Sequence, residues 1–225
     1  IKDYYSQLLG LSGDDSYEER CKLHTVCGHD SGILHSGDGR ISIVTYHGDF
    51  NYSAVNDLGA SYASGEYILL LNNDTEVITA NWMEEMLMYA QREDVGAVGA
   101  KLYYADKTIQ HAGVVIGLGA HRTAGHTHYR IPVQNLGYMG RLCYTQNVTA
   151  VTGACLLVKK SLYEQVGGLD ESFVISLNDV DFCLKLRKLG LLNVWTPFAE
   201  LYHYESISRG LDDQGEKAER IGAFP

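Results

Sequence analysis

The stretch that most constrains the fold is Tyr67-Ile68-Leu69-Leu70-Leu71, an unbroken apolar run that stops abruptly at Asn72-Asn73-Asp74-Thr75-Glu76. It is too short for a helix of ordinary length, and it lacks the alternation of a half-buried strand. It therefore reads as a strand buried on both faces, the pattern of parallel sheets. The end of that strand delivers a carboxylate, Asp74, to the rim where α/β sheets hold their ligands. By itself the same stretch also reads as a strand followed by an Asn/Asp turn.

On either side, strand-like and helix-like segments alternate. Ile41 to Tyr46 is rich in β-branched residues and predicts a strand. A helix follows, capped by Ser53, with Val55, Leu58 and Tyr62 on one face and a stop near Gly65. Trp82, Met83, Met86, Leu87 and Ala90 mark a second helix, capped around Thr79. Val95 to Ala100 and Val114 to Ile116 read as strands, whereas residues 117–147 have no period and predict a long loop. Val151 to Val158 is an apolar strand interrupted by Gly153. Ser161 to Val166 predicts a helix ending at Gly167-Gly168, and another starts at Asn178-Asp179 and stops at Gly190. Asn193 to Trp195 reads as a last strand. This alternation predicts an α/β sheet with helices on its faces. It divides the chain into an unreadable segment over 1–40, one folded domain over 41–210 and a polar tail over 211–225.

Composition narrows the function. The chain has 225 residues, 45% of them hydrophobic and only 3 of them Pro, which suits a globular domain rather than a disordered or collagenous chain. Its 18 Lys and Arg against 28 Asp and Glu leave a net charge of −10, so no basic face is expected to hold nucleic acid. No apolar run approaches the roughly 20 residues of a membrane-spanning helix. The first residue is Ile1, which suggests a piece of a longer protein. Cys21, Cys27, Cys143, Cys155 and Cys183 form no C-x-x-C pair, so neither a zinc ribbon nor a redox couple is indicated. A reducing, cytosolic compartment is the expectation.

Two further segments carry candidate chemistry. Asn178-Asp179-Val180-Asp181 sets carboxylates at a helix start, where capping and the helix dipole favour them. The functional alternative is a general base. His203 follows the last strand and could join Asp74 at a metal. His121, His126 and His128, with His111 nearby, make a zinc site conceivable, although no Cys or acid joins them at suitable spacing. Arg209 precedes Gly210, and a guanidinium is well shaped for a diphosphate.

In order along the chain, Asn51 to Ala60, Gly65 to Asp74, Val151 to Val158, Val166 to Glu171, Asn178 to Leu186, Trp195-Thr196-Pro197 and His203 to Gly210 resemble family 2 glycosyltransferases of the GT-A fold. The likeness is nearest to bacterial enzymes that build O-antigen and rhamnose-containing polysaccharides. It implies an α/β, mixed but mostly parallel sheet flanked by helices, truncated or degenerate at the N-terminus. The strands that bind the nucleobase in that family, I-I-I-P-T-x-N-R and V-D-x-G-S-T-D, are not found, although Cys21 to Gly32 could be a degenerate remnant of the second.

The resemblance also implies roles. Asn72-Asn73-Asp74 stands where the family has D-x-D, with Asp74 the metal ligand and Asn72 and Asn73 beside the nucleotide. His203 matches a position that approaches the metal or diphosphate, and Asn56, Gly59 and Arg209 match nucleotide-side positions. Asp179 matches the catalytic base, while Gly153, Ala154, Asn178 and Asp181 match the acceptor side. The implied reaction is an inverting transfer, dependent on Mn2+ or Mg2+, from a UDP- or dTDP-sugar to a glycan or lipid-linked glycan. It would take place in the cytoplasm, at the inner membrane face if a longer parent protein attaches there. The rival readings are an inactive transferase-like binding module and a sugar nucleotidyltransferase.

Overall fold

The computed structural model describes residues 23–25, 32–35, 42–118 and 123–204. The chain divides into two compact units, Ile1–Phe50 and Asn51–Pro225. The first holds β1 (Leu23–Thr25), β2 (Gly32–His35) and β3 (Ser42–Val44), paired antiparallel in that order. The strand predicted from Ile41 is β3.

The second unit begins with α1 (Tyr52–Tyr62), β4 (Tyr67–Leu71), β5 (Thr75–Val77), α2 (Trp82–Ala90) and β6 (Val95–Tyr103). There follow β7 (Ile109–His111), β8 (Val114–Ile116), β9 (Ala124–His126), a 3-10 turn (Tyr138–Gly140) and β10 (Gln146–Val148). It closes with β11 (Cys155–Lys159), α3 (Lys160–Gln165), α4 (Asn178–Lys188) and β12 (Leu192–His203). The main sheet runs β10-β12-β6-β11-β4, with β5 on β12 and β7 on β6, while β8 and β9 form a separate pair.

The sheet is mixed and flanked by helices, as the resemblance implies, but it is not mostly parallel. Only β6 and β12 run parallel among the described strands, and the other pairings are antiparallel. An apolar run buried on both faces records burial and carries no information about the direction of its neighbours. β4, expected to be buried on both faces, instead ends the sheet order among the described residues. Ile68 and Leu70 are buried, Tyr67 and Leu69 half-buried and Leu71 exposed, and its partner β11 meets it antiparallel, with Leu71 opposite Cys155.

Central β6 is buried along its whole length. Its small residues let neighbours close in, since a Cβ on Gly96 would lie 3.0 Å from Leu186 Cβ, and one on Gly99 would lie 2.5 Å from Val151 Cβ. One face of the sheet packs Ala97, Leu156, Val158, Phe182, Leu186 and Trp195, with α4 across it. The opposite face packs Trp82 and Met86 of α2 against Val98, Leu102 and Leu157. Each large side chain buried there contributes about 1.5–3 kcal/mol of transfer energy.

Several boundaries differ from the sequence pattern for local reasons. Asn51 rather than Ser53 caps α1, its Oδ1 accepting from Ala54 N–H at 3.1 Å, while Ser53 is buried and donates to Phe173 O. Asn81 precedes α2, and Thr79 instead accepts from Glu200 N–H. β12 extends eight residues beyond Trp195, to His203, because the chain runs on past Pro197 and pairs with β6 again from Glu200 to Tyr202 after a register shift. The stretch 117–147 carries β9, the 3-10 turn and the start of β10 rather than one open loop. No helix among the described residues is long and apolar enough to cross a membrane.

Candidate active site

The register of β5 on β12 builds the first half of the site. Thr75 faces His203, and Tyr204 N–H donates to Asp74 O at 2.9 Å, so Asp74 is fixed beside the end of β12. The turn before it is closed by Thr75 Oγ1 donating to Asn72 O at 2.8 Å. Gln110, buried on β7, orients the histidine: its Oε1 lies 2.7 Å from His203 Nδ1, and its amide donates to His203 O. A carboxamide oxygen only accepts, so Nδ1 carries the proton and Nε2 presents a lone pair. Asn72 Nδ2 donates towards that Nε2 at 3.1 Å.

Asp74 Oδ1 lies 3.1 Å from His203 Nε2, is buried, and receives no hydrogen bond. Two lone-pair atoms facing each other repel unless a cation or a proton lies between them. Ligand bonds of about 2.1 Å meeting at right angles put neighbouring ligands roughly 3 Å apart on Mg2+, which matches this spacing. One carboxylate oxygen and one imidazole nitrogen make a donor pair that could hold a divalent cation whose other positions take phosphate oxygens and water. Asn72 donates to the histidine but adds no charge.

The second half lies at the start of α4. Leu177, which precedes the helix, is left-handed at φ 66°, and Asp179 sits in the first turn. Its Oδ2 accepts from Gly153 N–H at 2.9 Å and its Oδ1 from Val180 N–H at 2.8 Å, which orients the carboxylate at the positive end of the helix. Asn178 is buried and donates to Phe173 O. Asp181 pairs with Lys185 one turn along the helix at 3.0 Å. Both therefore brace α4 more directly than they face a ligand.

The two halves meet through the backbone, where Asn72 N–H donates to Ala154 O at 3.0 Å and Gly153 N–H reaches Asp179. The structure thus gathers Asn72, Asp74, His203, Gly153, Ala154 and Asp179. Asn73 is exposed on the turn, Asn56 Nδ2 donates to Tyr52 O within its own helix, and Gly59 is an exposed position of α1. Arg209, His121 and the segment Cys21 to Gly32, apart from the strand residues of β1 and β2, lie outside the described residues.

Among the described residues the histidines do not assemble a zinc site. His111 Nε2 accepts from Thr152 N–H at 3.3 Å, and its Nδ1 lies 2.9 Å from His126 Nδ1, a hydrogen bond between rings. Burial, followed by the nearby charges of His126 and His203, holds the His111 pKa well below the usual imidazole value, so the ring is neutral. Among the described residues no three His, Cys, Asp or Glu side chains converge for a metal. Cys155 and Cys183 are buried thiols pushed up to about 12 by burial, inert as nucleophiles. Gln110, His111 and Tyr52 are functional candidates that periodicity misses; a hint was two polar residues, Gln110 and His111, between apolar Ile109 and Ala112.

Comparison with known proteins places the chain by family and fold. An uncharacterized protein of Sinorhizobium fredii, y4gI, is 50% identical over 191 residues, covering 84% of this chain and 21% of the relative. The O-antigen biosynthesis protein RfbC of Myxococcus xanthus is 42% identical over 176 residues, 78% of this chain and 14% of its own length. The chain thus spans about a fifth or less of these relatives. An N-acetylglucosaminyl-diphospho-decaprenol L-rhamnosyltransferase of Mycobacterium tuberculosis is 44% identical over 62 residues, 28% of this chain and 20% of the relative. The crystal structure of GalNAc-T7 with UDP, GalNAc and Mn2+ superposes with a TM-score of 0.54 at 12% identity, over 75% of this chain and 34% of that one, and shows a shared GT-A fold. The model of glycosyl transferase family 2 matches residues 31–167, more than half of the sequence, and so spans the Asp74 turn and the Gly153 strand end: the chain belongs to that family.

Proposed function

We propose that this chain forms the metal and acceptor side of a transferase that moves a sugar, with inversion, from a nucleoside-diphosphate donor to a hydroxyl of a bacterial surface glycan. The observation that carries the reading is the Asp74 Oδ1 and His203 Nε2 pair, 3.1 Å apart, with the histidine tautomer set by Gln110. Asp74 and His203 would hold Mn2+ or Mg2+, which supplies Lewis-acid stabilisation of the departing diphosphate. Asp179, oriented by Gly153, takes the proton of the acceptor hydroxyl as that oxygen attacks the anomeric carbon. Asn72 Nδ2 holds the imidazole through Nε2 in the metal-free site and would give up that contact when Nε2 takes the cation. UDP- and dTDP-sugars are the first donors to test, and any attachment to the inner membrane face would come through the longer protein.

The test is incubation with Mn2+ and a panel of UDP-, dTDP- and GDP-sugars, reading release of nucleoside diphosphate and, by NMR, the anomeric configuration of the product. Release with one donor and an inverted product supports the proposal. Retention of configuration would remove Asp179 as the base. Nucleotide binding without release, in the presence of acceptor glycans, would leave the inactive binding module as the reading.

A further inference from the structure

The backbone at Thr152-Gly153-Ala154 is held from several sides. Thr152 N–H donates to His111 Nε2 at 3.3 Å, Gly153 N–H donates to Asp179 at 2.9 Å, Tyr52 Oη–H donates to Gly153 O at 2.9 Å, and Ala154 O accepts from Asn72 N–H at 3.0 Å. We infer that Tyr52 and His111 are positioning residues for Asp179, acting through the Thr152-Gly153 backbone. The inference rests on the proposed role of Asp179 as base and deepens it.

Peptide units are rigid planes joined by two soft dihedrals per residue. Thr152 N–H belongs to the plane before the one carrying Gly153 N–H, and Gly153 O to the plane after it. Pinning both outer planes leaves the middle one little freedom, so its N–H stays aimed at Asp179. His111 is 0% exposed, and a buried imidazole is costly unless its ring nitrogens find partners. Because Nε2 accepts from Thr152, Nδ1 must donate, and it does so to His126 on β9. The neutral tautomer that serves Thr152 is thereby fixed from behind.

Tyr52 works from the other side and reaches both segments that place the base. Its phenol holds Gly153, and its own N–H donates to Val174 O at 2.8 Å, on the segment that leads into Leu177 and Asp179. A Cβ on Gly153 would lie 2.9 Å from Tyr52 Oη, so a side chain there would push the phenol off Gly153 O. Tyr52 and His111 both act on the Thr152-Gly153 backbone that aims the base, while His111 also lies near His203, so Tyr52→Phe is the cleaner probe of the base.

The test is NMR of the full chain labelled with 15N-glycine, comparing wild type with Tyr52→Phe, His111→Gln, His111→Leu and Asp179→Asn. In Tyr52→Phe the Gly153 amide proton shifts towards its Asp179→Asn position and exchanges at least about tenfold faster. His111→Leu does the same, while His111→Gln, which keeps an acceptor for Thr152, stays close to wild type. With the donor found in the panel, kcat of Tyr52→Phe falls about 10–100-fold while KM for that donor changes less than about twofold. If His111→Leu does not fold, Tyr52→Phe decides alone. A Gly153 amide in Tyr52→Phe that superposes on wild type in shift and exchange overturns the inference, even if turnover falls. If the amide moves as expected and Asp179→Asn leaves turnover intact, the hydrogen-bond coupling stands and the base assignment fails.

Discussion

The two halves of the site are built on different principles. At Asp74 and His203 the geometry comes from strand register, because Thr75 pairs with His203 and side chains then bond to side chains through Gln110 and Asn72. At Asp179 it comes from backbone groups of a strand end and a helix start, held by a phenol, a buried imidazole and the first turn of α1. A β ladder is stiff and resists small local shifts, whereas a carboxylate held by its own helix only at Val180 N–H depends for its aim on everything that holds Gly153. The metal side should therefore tolerate packing changes that disarm the base side.

The sharpest separation comes from Asp179→Asn. Turnover should fall about 10²–10⁴-fold, the usual contribution of a general base, with Mn2+-dependent nucleotide binding retained. Loss of both together would mean that the halves are not independent. Gln110→Leu tests the other half. Without an acceptor for Nδ1–H the tautomer of His203 is no longer set, and Mn2+ affinity measured by calorimetry should drop about 10–100-fold, the range for a lost partner behind a metal-bound histidine.

A packing variant probes the contrast directly. In Gly99→Ala the new Cβ would meet Val151 at 2.5 Å, one residue before Thr152. Overpacking should cost about 1–3 kcal/mol in denaturant melts and lower turnover, with Mn2+ affinity unchanged. Equal loss on both sides would show that β6 carries strain to the metal pair as well.

Acid gives a smaller effect with a definite sign. Burial depresses the pKa of folded His111, so the unfolded chain binds that proton more readily. Stability conferred by the neutral ring is complete above about pH 6.5 and is lost as pH falls below it, by at most about 1.4 kcal/mol per pH unit for one proton. Metal-free wild type should melt lower at pH 5.5 than at 7.5, and His111→Gln should show less of this dependence.

What could be read from the residues alone is what depends on short range. An apolar run ending in Asn72-Asn73-Asp74 and a helix opening at Asn178-Asp179 announce themselves within ten residues, and both carboxylates stand where those patterns put them. Gly153 stood out as a break in an apolar strand. The partners of these groups were hidden because they lie far along the chain: Gln110 is 93 residues from His203, and Tyr52 is 101 from Gly153. Strand direction and burial were hidden too, since the apolar run Tyr67 to Leu71 reads as buried on both faces, whereas β4 pairs antiparallel with β11 and leaves Leu71 exposed. The helix cap moved from Ser53 to Asn51 because the Ser53 hydroxyl found Phe173 O, a tertiary partner that outweighs its local preference.

The most direct measurement of the central claim is thermal melting with UDP, dTDP and GDP, each with and without Mn2+, on wild type and Asp74→Ala. A ligand at about 100 times its Kd adds roughly 2.7 kcal/mol, a rise of about 5–11 °C for a chain of this size. The account predicts a Mn2+-dependent rise with at least one nucleotide in the wild type and none in Asp74→Ala. A nucleotide-induced rise that is independent of Mn2+, or that persists in Asp74→Ala, would contradict the assignment of Asp74 and His203 as the metal pair.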